Sequence, residues 1–135
     1  MKYSGGCLCG AVTYTVSGLL RPVINCHCQQ CRKTSGHFVA ATSAPRDSVN
    51  IVGHVTWFRS SDTARRGFCA TCGSNLFWDG LGENLSIFAG TLDNPSDLQT
   101  KGHIFVDDKG AYYDITDDLP KAPQDDAVLT TVVKP

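Results

Sequence analysis

The sequence has almost no net charge, with 12 Lys and Arg against 13 Asp and Glu, and no run of Lys and Arg exceeds two residues. Binding to nucleic acid through the phosphate backbone needs a basic stripe that releases counterions, so no nucleic-acid partner is expected. Long apolar runs are also missing. No stretch approaches the ~20 residues of a spanning helix, and Met1-Lys2-Tyr3-Ser4-Gly5-Gly6-Cys7 lacks the apolar segment of a secretory signal. The expectation is therefore no membrane and a cytoplasmic location, where thiols stay reduced. There is no internal repeat, low-complexity tract or linker, and 135 residues is an ordinary length for one domain. The reading is a single domain over 1–135, with a core from about 3 to 120 and an irregular extension over 121–135 that lies against the domain or frays.

Helical periodicity is equally scarce. Val12, Tyr14 and Val16 alternate with Thr13 and Thr15. Val49–Val52, Val55–Phe58, Leu76–Trp78, Leu85–Phe88 and His103–Val106 are short runs of β-branched and aromatic residues, the pattern of half-buried strands. Ser17-Gly18, Gly53, Asp79-Gly80, Asn94-Pro95 and Lys109-Gly110 supply turns between them. This reads as an all-β domain of short antiparallel sheets. The best helical candidate is Cys28–Thr34, which lacks Gly and Pro and stops before Ser35-Gly36, so one or two short turns are predicted.

What the sequence does contain is seven cysteines, and none stands alone. They form Cys7-Leu8-Cys9, Cys26-His27-Cys28-Gln29-Gln30-Cys31 and Cys69-Ala70-Thr71-Cys72. A cysteine scattered singly is usually a small buried hydrophobe, and a disulfide framework would leave one of seven over. Residues two apart on extended backbone share a face, and a C-x-x-C aims two thiolates at one point through a tight turn. Gly10 and Gly73 each follow a pair, where positive φ is expected. Metal ligation is the favoured reading, with a redox dithiol as its rival.

Keeping clusters intact, seven ligands divide into one closed four-thiolate site and one three-thiolate site with a vacant position. One grouping joins Cys7, Cys9, Cys69 and Cys72 and leaves Cys26, Cys28 and Cys31 as the open site. Another pairs Cys28 and Cys31 with Cys69 and Cys72. A histidine could complete the trio. His27 would leave an extended segment on the opposite face from its neighbours, while His37, His54 and His103 are candidates whose ordinary alternative is a surface or hydrogen-bonded imidazole. Three thiolates make a zinc site formally negative and a poor activator of water. A soft thiol suits the fourth position, where coordination would hold it as thiolate.

Gly5-Gly6-Cys7-Leu8-Cys9-Gly10-Ala11-Val12, Cys26-His27-Cys28-Gln29-Gln30-Cys31-Arg32-Lys33-Thr34-Ser35-Gly36 and Gly67-Phe68-Cys69-Ala70-Thr71-Cys72-Gly73-Ser74 closely resemble the glutathione-dependent formaldehyde-activating enzyme family, which shares a domain with centromere protein V. Ala89-Gly90-Thr91-Leu92-Asp93 and His103-Ile104-Phe105-Val106 resemble it too. The resemblance implies an Mss4-like all-β fold with two Zn2+ per chain. Of these, Cys7, Cys9, Cys69 and Cys72 would hold the structural ion, and Cys26, Cys28 and Cys31 the catalytic one. It implies a carbon–sulfur lyase that adds glutathione or a similar thiol to formaldehyde or a related small aldehyde, giving S-hydroxymethylglutathione. The chain departs from the family pattern at Tyr112-Tyr113, where a Trp is common, and at Lys101-Gly102, where a Pro often precedes His103. Both positions are expected at a pocket rim. Glutathione carries two carboxylates, for which Arg32, Lys33, Arg65 and Arg66 are candidates, their alternative being solvated charges beside the metal turns. Two readings from other classes compete: a non-catalytic zinc-stabilised protein-binding module, and a thiol redox sensor.

Overall fold

The computed structural model describes residues 3–95 and 97–131. Two sheets account for most of it. Strands β1 (Tyr3–Gly6), β2 (Thr13–Val16) and β5 (Val49–Val52) form a three-stranded antiparallel sheet. The second sheet contains β3 (Val23–Cys26), β4 (Val39–Pro45), β6 (Thr56–Ser61), β7 (Ala64–Phe68), β8 (Asn75–Asp79), β9 (Asn84–Phe88) and β10 (Thr100–Ile104), in the order β10-β3-β4-β9-β8-β7-β6. The all-β expectation holds. One pair, β3 with β10, is parallel, which requires the long excursion through the rest of the sheet that separates these strands in sequence.

The alternation read in Val12, Tyr14 and Val16 is real, since all three are buried while Thr13 is exposed. They pack against one face of the large sheet, meeting Leu76, Phe77, Leu85 and Ile87. The rings of Tyr14 and Phe77 meet edge-on at 5.3 Å, and the buried Tyr14 hydroxyl bonds the Thr91 hydroxyl at 2.7 Å. Truncating Phe77 to Ala in such a core costs about 3–5 kcal/mol. Because side chains alternate along a strand, the same strands present their other positions to the opposite face. On that face Ile24, Val39, Ala41, Ser86 and Phe88 line a cavity of about 720 Å³.

The helix α1 (Gln29–Ser35) lies one residue beyond the expected start, because Cys28 is its N-cap and accepts the Cys31 N–H through Sγ at 3.3 Å. Gly36 closes its C-terminus. The strand read at His103–Val106 sits earlier, over Thr100–Ile104, with Val106 in a 3-10 turn.

Beyond Leu119 the chain follows the edge of β10. His103 N–H donates to Pro120 O, Ala122 N–H to His103 O, and Phe105 N–H to Gln124 O. A short helix α2 (Ala127–Thr130) follows, and Leu129 packs over Gly102. An otherwise open parallel edge is thereby covered. Residues 132–135 of the expected extension lie outside the described residues.

Candidate metal centres

The structure gathers the seven cysteines into two groups, Cys7, Cys9, Cys69 and Cys72 in one and Cys26, Cys28 and Cys31 in the other. Within each group the sulfurs lie within 4.8 Å of one another.

Two turns of the same design build the first group. Gly10 N–H donates to Cys7 O and Cys7 N–H to Val12 O; Gly73 N–H donates to Cys69 O and Cys69 N–H to Ser74 O. Gly10 and Gly73 have φ of 80° and 78°, the left-handed conformation anticipated for them. Cys7 and Cys9 sulfurs are 3.6 Å apart, and Cys9 and Cys69 sulfurs 3.8 Å. Both are far longer than a disulfide of about 2.05 Å. They match the edge of a tetrahedron with metal–sulfur bonds of about 2.3 Å, which is about 3.8 Å. Neighbouring donors already point at these sulfurs. The Val12 N–H, 3.3 Å from Cys7 Sγ, holds that thiol below its ordinary pKa, and the Ser74 hydroxyl at 3.2 Å draws Cys72 down to about 5.

The second group sits where β3 hands over to α1. Cys26 ends the strand, Cys28 caps the helix and Cys31 occupies its buried face. Hydrogen bonding with Cys26 and then Cys31 holds the Cys28 thiol far below its ordinary pKa, while the same crowding drives Cys26 far above it. One anion is tolerated here but three are not, unless a cation shares the space. Soft sulfur donors so arranged fit a metal such as zinc. A cation already stands beside them: Arg66, only 6% exposed, donates from Nη2 to Cys31 Sγ at 3.7 Å, and its Nε has no partner.

No histidine joins either group among the described residues. His27 points away from Cys26 and Cys28, as the alternation requires, and is 1% exposed. Its Nδ1 bonds the Tyr113 hydroxyl, its Nε2 lies 2.9 Å from His103 Nδ1, and His103 Nε2 lies 2.9 Å from Asp117 Oδ2. His37 bonds the Tyr112 hydroxyl at 2.7 Å, and His54 is exposed. Sequence reading missed the Tyr113–His27–His103–Asp117 chain. Its bonded partners are up to 86 residues apart, and no local pattern announces it.

Of the four cationic candidates, only Arg66 lines the large cavity. Arg65 pairs with Asp79 at 3.0 Å and stacks on the Trp57 ring at 3.9 Å. Lys33 borders a separate small depression beside α1. Arg32 is half-buried with an unpartnered Nε, away from the cavity. Tyr112, Tyr113 and Lys101-Gly102 are not among the residues lining this cavity. Tyr112 and Tyr113 pack against His37, and Gly102 lies under Leu129.

Residues 2–108 match the profile of the glutathione-dependent formaldehyde-activating enzymes. The chain belongs to this family. It is also 30% identical over 141 aligned residues to an uncharacterised lyase of Schizosaccharomyces pombe, an alignment covering 98% of each chain. The family is metal-binding, and the two cysteine groups are where this member could hold metal ions. No helix among the described residues is long and apolar enough to cross a membrane.

Proposed function

We propose that the protein is a single-domain zinc-dependent carbon–sulfur lyase. In this reading it binds a thiol such as glutathione at Cys26, Cys28 and Cys31 and joins it to formaldehyde or a related small aldehyde in the cytoplasm. Cys7, Cys9, Cys69 and Cys72 hold a second, structural zinc. One observation carries the reading: all three cysteines of the trio line the large cavity, and none of the other four cysteines does. A four-thiolate tetrahedron is closed, whereas a trio facing a cavity leaves one position for a ligand.

Zinc at the trio would supply a soft Lewis acid that lowers the pKa of an incoming thiol. The chain's own residues do the rest. The Cys31 N–H orients Cys28 Sγ, and the buried Arg66 guanidinium offsets part of the thiolates' negative charge. The cavity walls keep the reactants together. The thiol releases its S–H proton to water. Its sulfur then forms a bond to the carbonyl carbon, the C=O π pair moves onto oxygen, and that oxygen takes a proton from water. The product is the hydroxymethyl thioether, and the lyase direction is the reverse.

The test is titration of cobalt-substituted protein with glutathione. Appearance of a stronger thiolate–cobalt absorption band supports the reading. No spectral change at millimolar thiol would favour a non-catalytic binding module instead.

A further inference from the structure

Two cations line the cavity beside the trio, Arg21 and Arg66, and both are only 6% exposed. They differ in what their donors do. Arg21 donates to the carbonyls of Pro22, Ala41 and Thr130 at 3.2, 2.9 and 3.2 Å and faces Asp125, so it is spent on the fold. Arg66 makes two long contacts, from Nη2 to Cys31 Sγ at 3.7 Å and from Nη1 to Thr34 Oγ1 at 3.5 Å. Its Nε–H has no partner. A buried charged donor left unpaired carries a desolvation penalty that an incoming oxygen would relieve.

The scaffold fixes where this spare donor sits. Arg66 is central in β7, paired in register with Phe58 of β6 and Trp78 of β8. Strand alternation puts it on the same face as Ala64, which also lines the cavity. Thr34 commits its own proton to Gln30 O at 2.8 Å, which leaves the Thr34 oxygen to accept from Nη1. The guanidinium is held on a rigid element, one contact away from the trio.

A preorganised cation with a free N–H beside a nucleophile is the arrangement that stabilises negative charge as it develops on a carbonyl oxygen. We infer that Arg66 is the oxyanion donor of the reaction: its Nε–H hydrogen-bonds the aldehyde oxygen while the thiol sulfur bonds the carbonyl carbon. The inference rests on the proposed thiol chemistry and adds a catalytic residue to it. The C=O π pair moves onto that oxygen, Arg66 keeps its own proton, and water supplies the proton that completes the hydroxyl. In the lyase direction the hydroxyl proton returns to water, C=O re-forms from the oxygen held by Arg66, and the C–S bonding pair leaves with sulfur. A carboxylate of glutathione is the rival source of an anionic oxygen. The aldehyde oxygen, however, is bonded to the carbon that the sulfur attacks and so stays beside the trio, as Arg66 does. The carboxylates sit at the ends of a peptide whose residues each reach about 3.3–3.6 Å.

The experiment uses the full-length zinc-loaded protein, glutathione and formaldehyde, and the variant Arg66→Lys, which keeps a positive charge next to Cys31 but has no Nε–H. The expected result is a fall of about 100-fold or more in kcat for adduct formation. The glutathione concentration that half-saturates the thiolate–cobalt band of the cobalt-substituted variant should change by less than about two-fold. A second readout needs no variant: the proton resonance of the Arg66 Nε–H in the unmodified protein, assigned through its own side-chain carbons. It should move downfield when glutathione and formaldehyde are both present and stay in place with glutathione alone. Unchanged kcat in Arg66→Lys, or a resonance unmoved by the two reactants together, would overturn the inference. A resonance that moves with glutathione alone, or a loss of glutathione affinity in place of the loss in kcat, would overturn it too and put a thiol carboxylate on Arg66. Each of these outcomes leaves the thiol chemistry standing. No cobalt band with glutathione would overturn the thiol chemistry itself, and the inference with it.

Discussion

His27 Nε2 lies 2.9 Å from His103 Nδ1, and this buried contact joins the two halves of a hydrogen-bonded chain from Tyr113 to Asp117. Burial, reinforced by His103, holds the pKa of His27 at about 4, so the ring is neutral at pH 7. His103 Nε2 faces the Asp117 carboxylate, which can only accept, and so donates to it. One proton lies between His27 Nε2 and His103 Nδ1, and His27 Nδ1 shares the hydrogen bond with the Tyr113 hydroxyl. The three bonds tie β3, β10 and the segment over 112–118 together directly behind the cysteine trio.

Replacing His103 with Leu leaves the buried Nε2 of His27 without a hydrogen-bond partner. Denaturant unfolding of His103→Leu should show a loss of about 1–3 kcal/mol. Asp117→Asn, at a carboxylate whose side chain is 43% exposed, should lose less than about 1 kcal/mol. Equal losses for the two variants would contradict the buried His27–His103 link as the costlier of the two.

The two cysteine groups should respond differently to substitution. Cys69, 2% exposed within the core cluster, clips the β7–β8 turn to the N-terminal turn, so Cys69→Ser should unfold or severely destabilise the protein. Cys28→Ser should remain folded and lose one metal. Metal analysis should give two zinc ions for the unmodified chain and one for Cys28→Ser, with circular dichroism reporting the fold.

Arg66 contacts Cys31; the sequence offers it as a carboxylate receptor or as a solvated charge that partly offsets the thiolates. Arg66→Met removes a positive charge next to the trio. Retention of the second metal against a chelator should weaken by about 10-fold or more, while the first metal stays in place.

Asp79 is fully buried. Burial alone would raise its pKa, but two bonds from Arg46, one from the Leu81 N–H and one from Arg65 outweigh it and hold the carboxyl below its ordinary value of 3.8. A depressed carboxyl stabilises the fold above its unfolded pKa and loses that contribution as pH falls through the lower folded value. Asp79→Asn should therefore cost about 1–3 kcal/mol at pH 7. The gap to the unmodified protein should narrow only below about pH 3.8, read by urea unfolding across pH.

Legibility in the sequence followed local chemistry. Strands β2 and β5 were readable because β-branched and aromatic residues alternate or cluster there, and α1 because Ser35-Gly36 ends a polar run free of Gly and Pro. By contrast β4, with Ala40, Ala41, Ala44 and Pro45, has little intrinsic strand preference. It is a strand because β3 and β9 bond it on both sides, a tertiary effect that propensity does not encode. The cysteine clusters were visible at once, but spacing left their grouping open, since Cys9 and Cys69 meet across 60 positions. Only the resemblance chose between the alternatives, and the folded geometry gathers the same four. Arg66 and the histidine chain are contacts of the folded state alone.

That long reach between Cys9 and Cys69 also orders events on the ribosome. As the nascent chain emerges from its N-terminus, Cys7, Cys9 and the local trio are all outside before the pair Cys69 and Cys72 appears. Five thiols therefore meet incoming metal while the proposed structural site lacks half its ligands. The trio is complete within residues 26–31, whereas the four-cysteine site is complete only when the β7–β8 turn arrives.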